Sequence, residues 1–152
     1  MAARKFYKLT ASQQRFFNLL PNDWRKSILP FWDDYKNTSS IYVLEEQAAV
    51  IAGGIVFTTC PPDLIAYKNE LRPWFDDGYW YLGFLFVKET MQGQNIGSQW
   101  LDAIKNHYPK QRFWLLIEDE DLHHFYNKNG FERVQDFQNT NQTEGLYIYN
   151  GS

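Results

Sequence analysis

The stretch YWYLGFLFVKETMQGQNIGS, Tyr79–Ser98, decides the fold. Its first part, Tyr79–Val87, is a dense run of aromatic and branched aliphatic residues, which predicts a β-strand. Gln92-Gly93-Gln94-Asn95-Ile96-Gly97-Ser98 follows within a few residues. Ile96, Trp100, Leu101, Ile104 and Tyr108 then recur at helical spacing. Strand, short glycine-containing loop and helix start together form a seat for an anion. Loop and first-turn N–H groups have no helical partner and point at whatever sits there. A phosphate-bearing ligand is the usual occupant.

On the N-terminal side, Phe6–Leu9 predicts a short strand. Thr10 or Ser12 can cap a helix that turns Phe16, Leu19 and Leu20 inward, and Pro21 ends it. Asn22 or Asp23 can cap a second helix carrying Trp24, Ile28, Phe31, Trp32 and Tyr35, which Pro30 kinks or splits. Ile41–Leu44 and Val50–Thr58 predict a β-hairpin through Glu45–Ala49. Gly53-Gly54 within it marks a bulge or a close backbone approach. Cys60-Pro61-Pro62 breaks the sheet, and Asp63–Asp77 is a long connection with room for a short helix.

On the C-terminal side, a helix runs within Gln92–Tyr108, and Arg112–Ile117 predicts a buried strand. Asp119 or Asp121 can cap a short helix, Leu122–Asn129, with Gly130 at its C-terminal cap. Phe131–Val134 and Leu146–Tyr149 predict terminal strands separated by a polar segment, Gln138–Glu144. This order predicts a mixed α/β sheet in one domain over residues 1–152, with no internal repeat.

The totals narrow the function. A net charge of −3 and a pI near 5.6 argue against a nucleic-acid partner, which calls for a basic face. Aromatic residues make up 18% of the chain, enough for a bulky core, a ring-lined pocket, or both. Cys60 is the single cysteine, which excludes an internal disulfide and points to a reducing cytoplasm. No signal-peptide pattern and no run of about 18 apolar residues occurs, so neither secretion nor a membrane is expected. His123-His124 is no metal pair, because adjacent helix positions point apart, and no zinc-like spacing occurs.

Two motifs carry a family resemblance. Gln92-Gly93-Gln94-Asn95-Ile96-Gly97, after a strand ending in Val87, is similar to the Gln/Arg-x-x-Gly-x-Gly/Ala loop of the GNAT superfamily of acyl-CoA-dependent N-acetyltransferases. Phe125-Tyr126-Asn127-Lys128-Asn129-Gly130-Phe131 resembles that family's Phe-Tyr-x-Lys-x-Gly-Phe signature. Asn95 stands where the family has its first glycine. Asn tolerates left-handed geometry better than most residues. On the later helix, Asp119 and Leu122 stand where the family often has Asn and Ala.

The resemblance implies a mostly antiparallel sheet with a splayed central strand pair and helices on both faces. It implies acetyl-CoA (coenzyme A) as cofactor and acetyl transfer to a primary amine of a small molecule, amino-acid derivative or peptide. A non-catalytic CoA-binding or ligand-sensing module is the alternative on the same fold, and a homodimer is left open. The pyrophosphate would rest on Gln92, Gly93, Gln94, Asn95, Ile96, Gly97 and Ser98. The pantetheine arm would pair along Leu85, Phe86 and Val87, with Asp119 and Tyr126 completing the cofactor contacts. Tyr126 would protonate the departing thiolate. The base is open. A lysine-like amine at neutral pH sits about 3.4 units below its pKa, a cost of roughly 4.6 kcal/mol. Tyr81 occupies the central-strand position where some relatives carry a Glu, on one face with Tyr79, Gly83, Leu85 and Val87. Candidate carboxylates are Glu45 and Glu46 near the hairpin, Asp76 and Asp77 before the strand, and Glu118 at the end of the next strand, where it could reach the site. The expected acceptor pocket draws on Trp32, Tyr35, Trp74, Asp77 and Tyr79, rings and an acid that suit a cation.

Overall fold

In the computed structural model, which describes residues 3–140 and 142–151, the Tyr79–Val87 run is a central strand of a seven-stranded sheet. The elements are β1 (Arg4–Lys8), α1 (Gln14–Phe17), α2 (Asn22–Ile28), α3 (Trp32–Tyr35), β2 (Ser39–Glu46), β3 (Ala49–Phe57) and α4 (Lys68–Asp76). They continue as β4 (Tyr79–Val87), α5 (Ile96–His107), β5 (Arg112–Ile117), α6 (His123–Lys128), β6 (Glu132–Asn139) and β7 (Gln142–Tyr149). Strand order is β1-β2-β3-β4-β5-β7-β6, and every pair is antiparallel except β4–β5. A parallel pair needs a crossover, and α5 is that crossover.

Two neighbouring glycines show how the sheet is covered. Successive strand residues face opposite sides. A Cβ on Gly53 would lie 2.5 Å from the Phe16 ring, and one on Gly54 would lie 2.8 Å from Trp100. So α1 presses on one face and α5 on the other, and only glycine permits either approach. Phe16, Trp100, Trp114, Tyr147 and Phe57 are among the fully buried side chains of the core.

The feature that makes the site is the parting of β4 from β5. They pair only at Tyr79↔Arg112, Trp80↔Phe113 and Tyr81↔Trp114. Beyond Tyr81 the edge of β4 toward β5 has no strand partner. On its other side β4 bulges: Gly53 opposes Phe86 while Ile55 opposes Gly83. Phe84 and Leu85 therefore stand against Gly54 alone, and Phe84 takes φ +57. Register partners share a face, so Tyr79, Tyr81 and Gly83 continue to Phe86. Val87, opposite Ala52, falls on the α5 face. The expected unbroken alternation from Tyr79 to Val87 is thus corrected by one inserted residue.

Other expectations also shift. Neither Thr10 nor Ser12 caps α1; Ser12 turns left-handed at φ +56, and Gln13 precedes the helix without a side-chain cap. Pro21, not Asn22 or Asp23, stands at the start of α2, and Asn22 accepts a bond from Arg25 instead. Pro30 does split the second helix, into α2, a 3-10 turn and α3. The Asp63–Asp77 connection holds a 3-10 turn, Pro62–Tyr67, and then α4. Residues expected as a polar separator near Gln138–Glu144 instead extend the β6–β7 ladder, where Gln138 pairs with Thr143 and Phe137 with Glu144. Their polar side chains satisfy one another across the hairpin, so polarity does not stop the strands.

Candidate active site

The loop before α5 adopts the geometry of an anion seat. Gly93 has φ +84, and a Cβ there would meet nothing within 4 Å, so the loop is open above it. Asn95 is left-handed, at φ 64 and ψ 18, and takes the turn expected of glycine. The first α5 amide to bond back is Gln99, to Asn95 O, at 3.1 Å. The N–H groups of Ile96, Gly97 and Ser98 have no backbone partner among the described residues and lie at the positive end of the helix dipole. Gln92 ties the loop to the strand, its Nε2 donating to Val87 O at 3.1 Å. No basic side chain is needed for this seat.

The second motif packs on this seat. Asn129 Nδ2 donates to Ser98 Oγ at 3.0 Å and to Phe125 O at 2.8 Å. Gly97 lies under Phe125, where a Cβ would come 3.0 Å from the ring. Tyr126, next to Phe125, is 7% exposed and reaches the cleft between β4 and β5. Burial alone holds its phenol above the usual tyrosine range, so at neutral pH it keeps its proton. Asp119 turns its carboxylate onto the Asp121 N–H at 2.9 Å, capping the turn before α6 at the rim of the cleft.

The cleft has a volume of about 390 Å³. It runs through the gap where β4 and β5 part. On the face opposite α5, three carboxylates converge on it: Asp63 before α4, Glu118 after β5, and Glu144 on β7. Strand parity puts Trp114, Leu116 and Glu118 on one side with Ile148 and Leu146, the β7 partners of the first two, and the Gln142 side chain donates to Glu118. Tyr81 joins them, with its ring 4.7 Å from Trp114. More than a third of Asp63 is open, and it lines the cleft. Its enclosure, and secondarily the charge of Glu144, raises its carboxyl to about 6. Glu144 is also raised by burial, against hydrogen bonds from Asn139 and Gln142. Tyr81 is pushed far up by burial, then by the charges of Asp63 and Glu144, which leaves it a hydrogen-bonding group and no base.

The family model of the GNAT acetyltransferases matches residues 3–131. The chain belongs to the GNAT acetyltransferase family. A search of curated protein sequences found no match. Among solved structures, a probable acetyltransferase from Staphylococcus epidermidis is similar at TM-score 0.72 and 14% identity, over 99% of this chain and 100% of that one. A GNAT family acetyltransferase from Elizabethkingia anophelis with acetyl-CoA bound is similar at TM-score 0.62 and 16% identity, over 97% of each chain. An aminoglycoside 6'-N-acetyltransferase complexed with coenzyme A is similar at TM-score 0.71 and 11% identity, over 95% of each. At these identities the likeness is one of fold.

Within this GNAT fold, the residues expected at the acceptor pocket do not gather at the cleft. Trp32 is buried against Phe17, with ring centroids 5.6 Å apart. Trp74 stacks on Trp114 at 6.2 Å as core packing. Tyr79 lies under Arg112 and donates its hydroxyl to Asn150 at 2.7 Å. Asp77 follows α4 and faces Arg112 at 4.0 Å. Tyr35 lines a separate depression with Cys60 and Phe75. Part of the cleft wall is instead Trp24 and Ser27 of α2 with Asp63. Trp24 lies 5.5 Å from Phe86, beside the bulge. Sequence reasoning missed Asp63 and Glu144. Asp63 directly follows Pro61-Pro62, a rigid pair that fixes where it points. Glu144 sits in a segment whose polarity reads as a loop. Cys60 is no nucleophile, since burial pushes its thiol up to about 11. No metal-binding cluster, and no helix long and apolar enough to cross a membrane, occurs among the described residues.

Proposed function

We propose that this protein transfers an acetyl group from acetyl-CoA to a primary amine of a small molecule, amino-acid derivative or peptide, by direct transfer. The observation that carries the reading is the parted β4–β5 edge. It has the anion seat and Tyr126 on one side and ionisable carboxylates on the other. Acetyl-CoA supplies the activated acetyl group. Gly93, Asn95, Gly97 and Ser98 offer backbone N–H groups to its pyrophosphate, and the unpaired edge of Leu85–Val87 offers strand-type hydrogen bonds to its arm. N–H groups on that edge also suit the carbonyl oxygen on which negative charge develops.

Asp63 takes the proton from the acceptor ammonium. A carboxyl near 6 remains largely ionised at neutral pH, yet lies closer to an ammonium than an ordinary aspartate does. Tyr126 holds the proton that the departing thiol sulfur receives, and regains one from solvent after release. Tyr81 orients the amine or a water between them, and Glu118 adds negative potential. The test is titration with acetyl-CoA followed by a thiol-release assay across amines. Saturable cofactor binding with amine-dependent thiol release supports the reading. Binding with no release from any amine returns the chain to a CoA-sensing module.

A further inference from the structure

The acceptor side of the cleft carries more negative charge than one amine requires. Asp63, Glu118, Asp119 and Glu144 line the cleft, and no lysine, arginine or histidine does. The acidic excess alone names no ligand, but Glu144 does. It is 9% exposed, and its Oε1 accepts from Asn139 at 3.4 Å and Gln142 at 3.3 Å. Its Oε2 is buried with no hydrogen-bond donor among the described residues. A buried carboxylate oxygen without a donor is costly, and such groups normally find a cation or a donor. The amide groups of Asn139 and Gln142 hold the Glu144 side chain by Oε1 and leave Oε2 unpartnered, in a residue that lines the cleft. Gln142 also bonds Glu118, so both carboxylates are fixed to one another through a single amide.

We infer that the acceptor carries two cationic centres. One is the amine that is acetylated beside Asp63, and the other is an ammonium that binds Glu144 Oε2 with Glu118 behind it. The inference rests on the proposed acetyl transfer and names its substrate class, an aliphatic diamine or a basic compound with two amines. A single ammonium would satisfy Asp63 and leave Glu144 as it is now. A dication satisfies both carboxylates, and its two charges repel, which favours separate partners. The apolar stretch between the acids, with Tyr81 and Leu116, suits the methylene chain between two such charges.

The test uses the full chain with coenzyme A present, and compares putrescine with n-butylamine, which has the same chain length and one charge. Calorimetric titration is expected to show putrescine binding at least about tenfold more tightly, as one additional charge-assisted hydrogen bond implies. Glu144→Gln keeps the shape and is expected to bring the two affinities within about threefold. Glu118→Gln is expected to narrow the difference less. Equal affinities in the unaltered protein overturn the inference, as does a putrescine preference that Glu144→Gln leaves intact. Thiol release is read separately. If putrescine binds as described but no amine releases thiol, the acetyl-transfer reading fails while the dication site stands.

Discussion

Replacing Asp63 with asparagine separates its two proposed effects, one on stability and one on chemistry. The carboxyl rises from 3.8 to about 6 on folding. Between those values the folded chain holds a proton that the unfolded chain has lost. Stability therefore falls as pH rises through this window, and the loss is complete above it. A fully enclosed group would lose about 3 kcal/mol this way. Because Asp63 is more than a third open, solvent screening reduces the working figure to about 1 kcal/mol. Asp63→Asn does not titrate, so at neutral pH it is expected to melt about 3 °C above the unaltered protein. Near pH 3, where both states of the parent are protonated, the two should melt together. Loss of the base should meanwhile lower kcat/KM about 100-fold. It should also abolish the rise in kcat/KM that is expected of the parent as pH increases through about 6. Circular-dichroism melts at both pH values and a pH–rate profile are the assays. A variant that is destabilised equally at both pH values, or that keeps the parent's pH profile, refutes the argument.

Tyr126→Phe should lower kcat about 100-fold while leaving the coenzyme A dissociation constant within about threefold, because the proposed role of the hydroxyl is toward the leaving group while the ring serves packing. Equal kcat would remove the acid assignment. Asn95→Gly should bind coenzyme A as the parent does. Asn95→Val, with a branched residue forced to φ 64, should weaken it at least about tenfold at a folding cost of about 2 kcal/mol. Equilibrium titration with coenzyme A checks both. Gly97→Ala places a Cβ 3.0 Å from the Phe125 ring and should cost about 1 kcal/mol in urea unfolding. It should also lower kcat, because Phe125 carries Tyr126 with it.

The geometry of the loop before α5, the proposed cofactor seat, was legible in the sequence because its determinants are local. A strand run, a loop and a helix period within twenty or so residues fix the seat, and Asn95 could be judged by its own backbone preferences. Strand limits of β4 and β5 were legible for the same reason. What the sequence hid is what depends on pairing. Inserting one residue at Phe84 flips the face of everything after it, and no local pattern in YWYLGFLFV marks the bulge. Gly53-Gly54 showed only that something comes close, and the structure shows two helices doing so from opposite sides. Aromatic residues misled most. Trp32, Trp74 and Tyr79 are compatible with a pocket by type, but their partners Phe17, Trp114 and Arg112 lie far off in sequence and draw them into packing. Glu144 was hidden because a polar hairpin whose side chains bond one another across strands has the composition of a loop.

These two kinds of legibility correspond to two halves of the site. Ser98 and Asn129 are hydrogen-bonded at 3.0 Å, and Gly97 lies against Phe125, so the phosphate seat and Tyr126 form one packed unit on the α5 face. The second motif therefore packs directly on the first, although β5 separates them along the chain. On the opposite face, Asp63 is set by the turn after β3, Glu118 by the end of β5 and Glu144 by the β6–β7 ladder. β5 pairs directly with β7, and the turn after β3 reaches the β6–β7 hairpin through Tyr67, whose ring packs on Phe137. Substitutions among the acids should thus change which amine is accepted without disturbing the seat, while substitutions in the seat should impair every acceptor alike. The parting of β4 from β5 joins the halves. It exposes a strand edge to the cofactor on one side and opens a path to the carboxylates on the other.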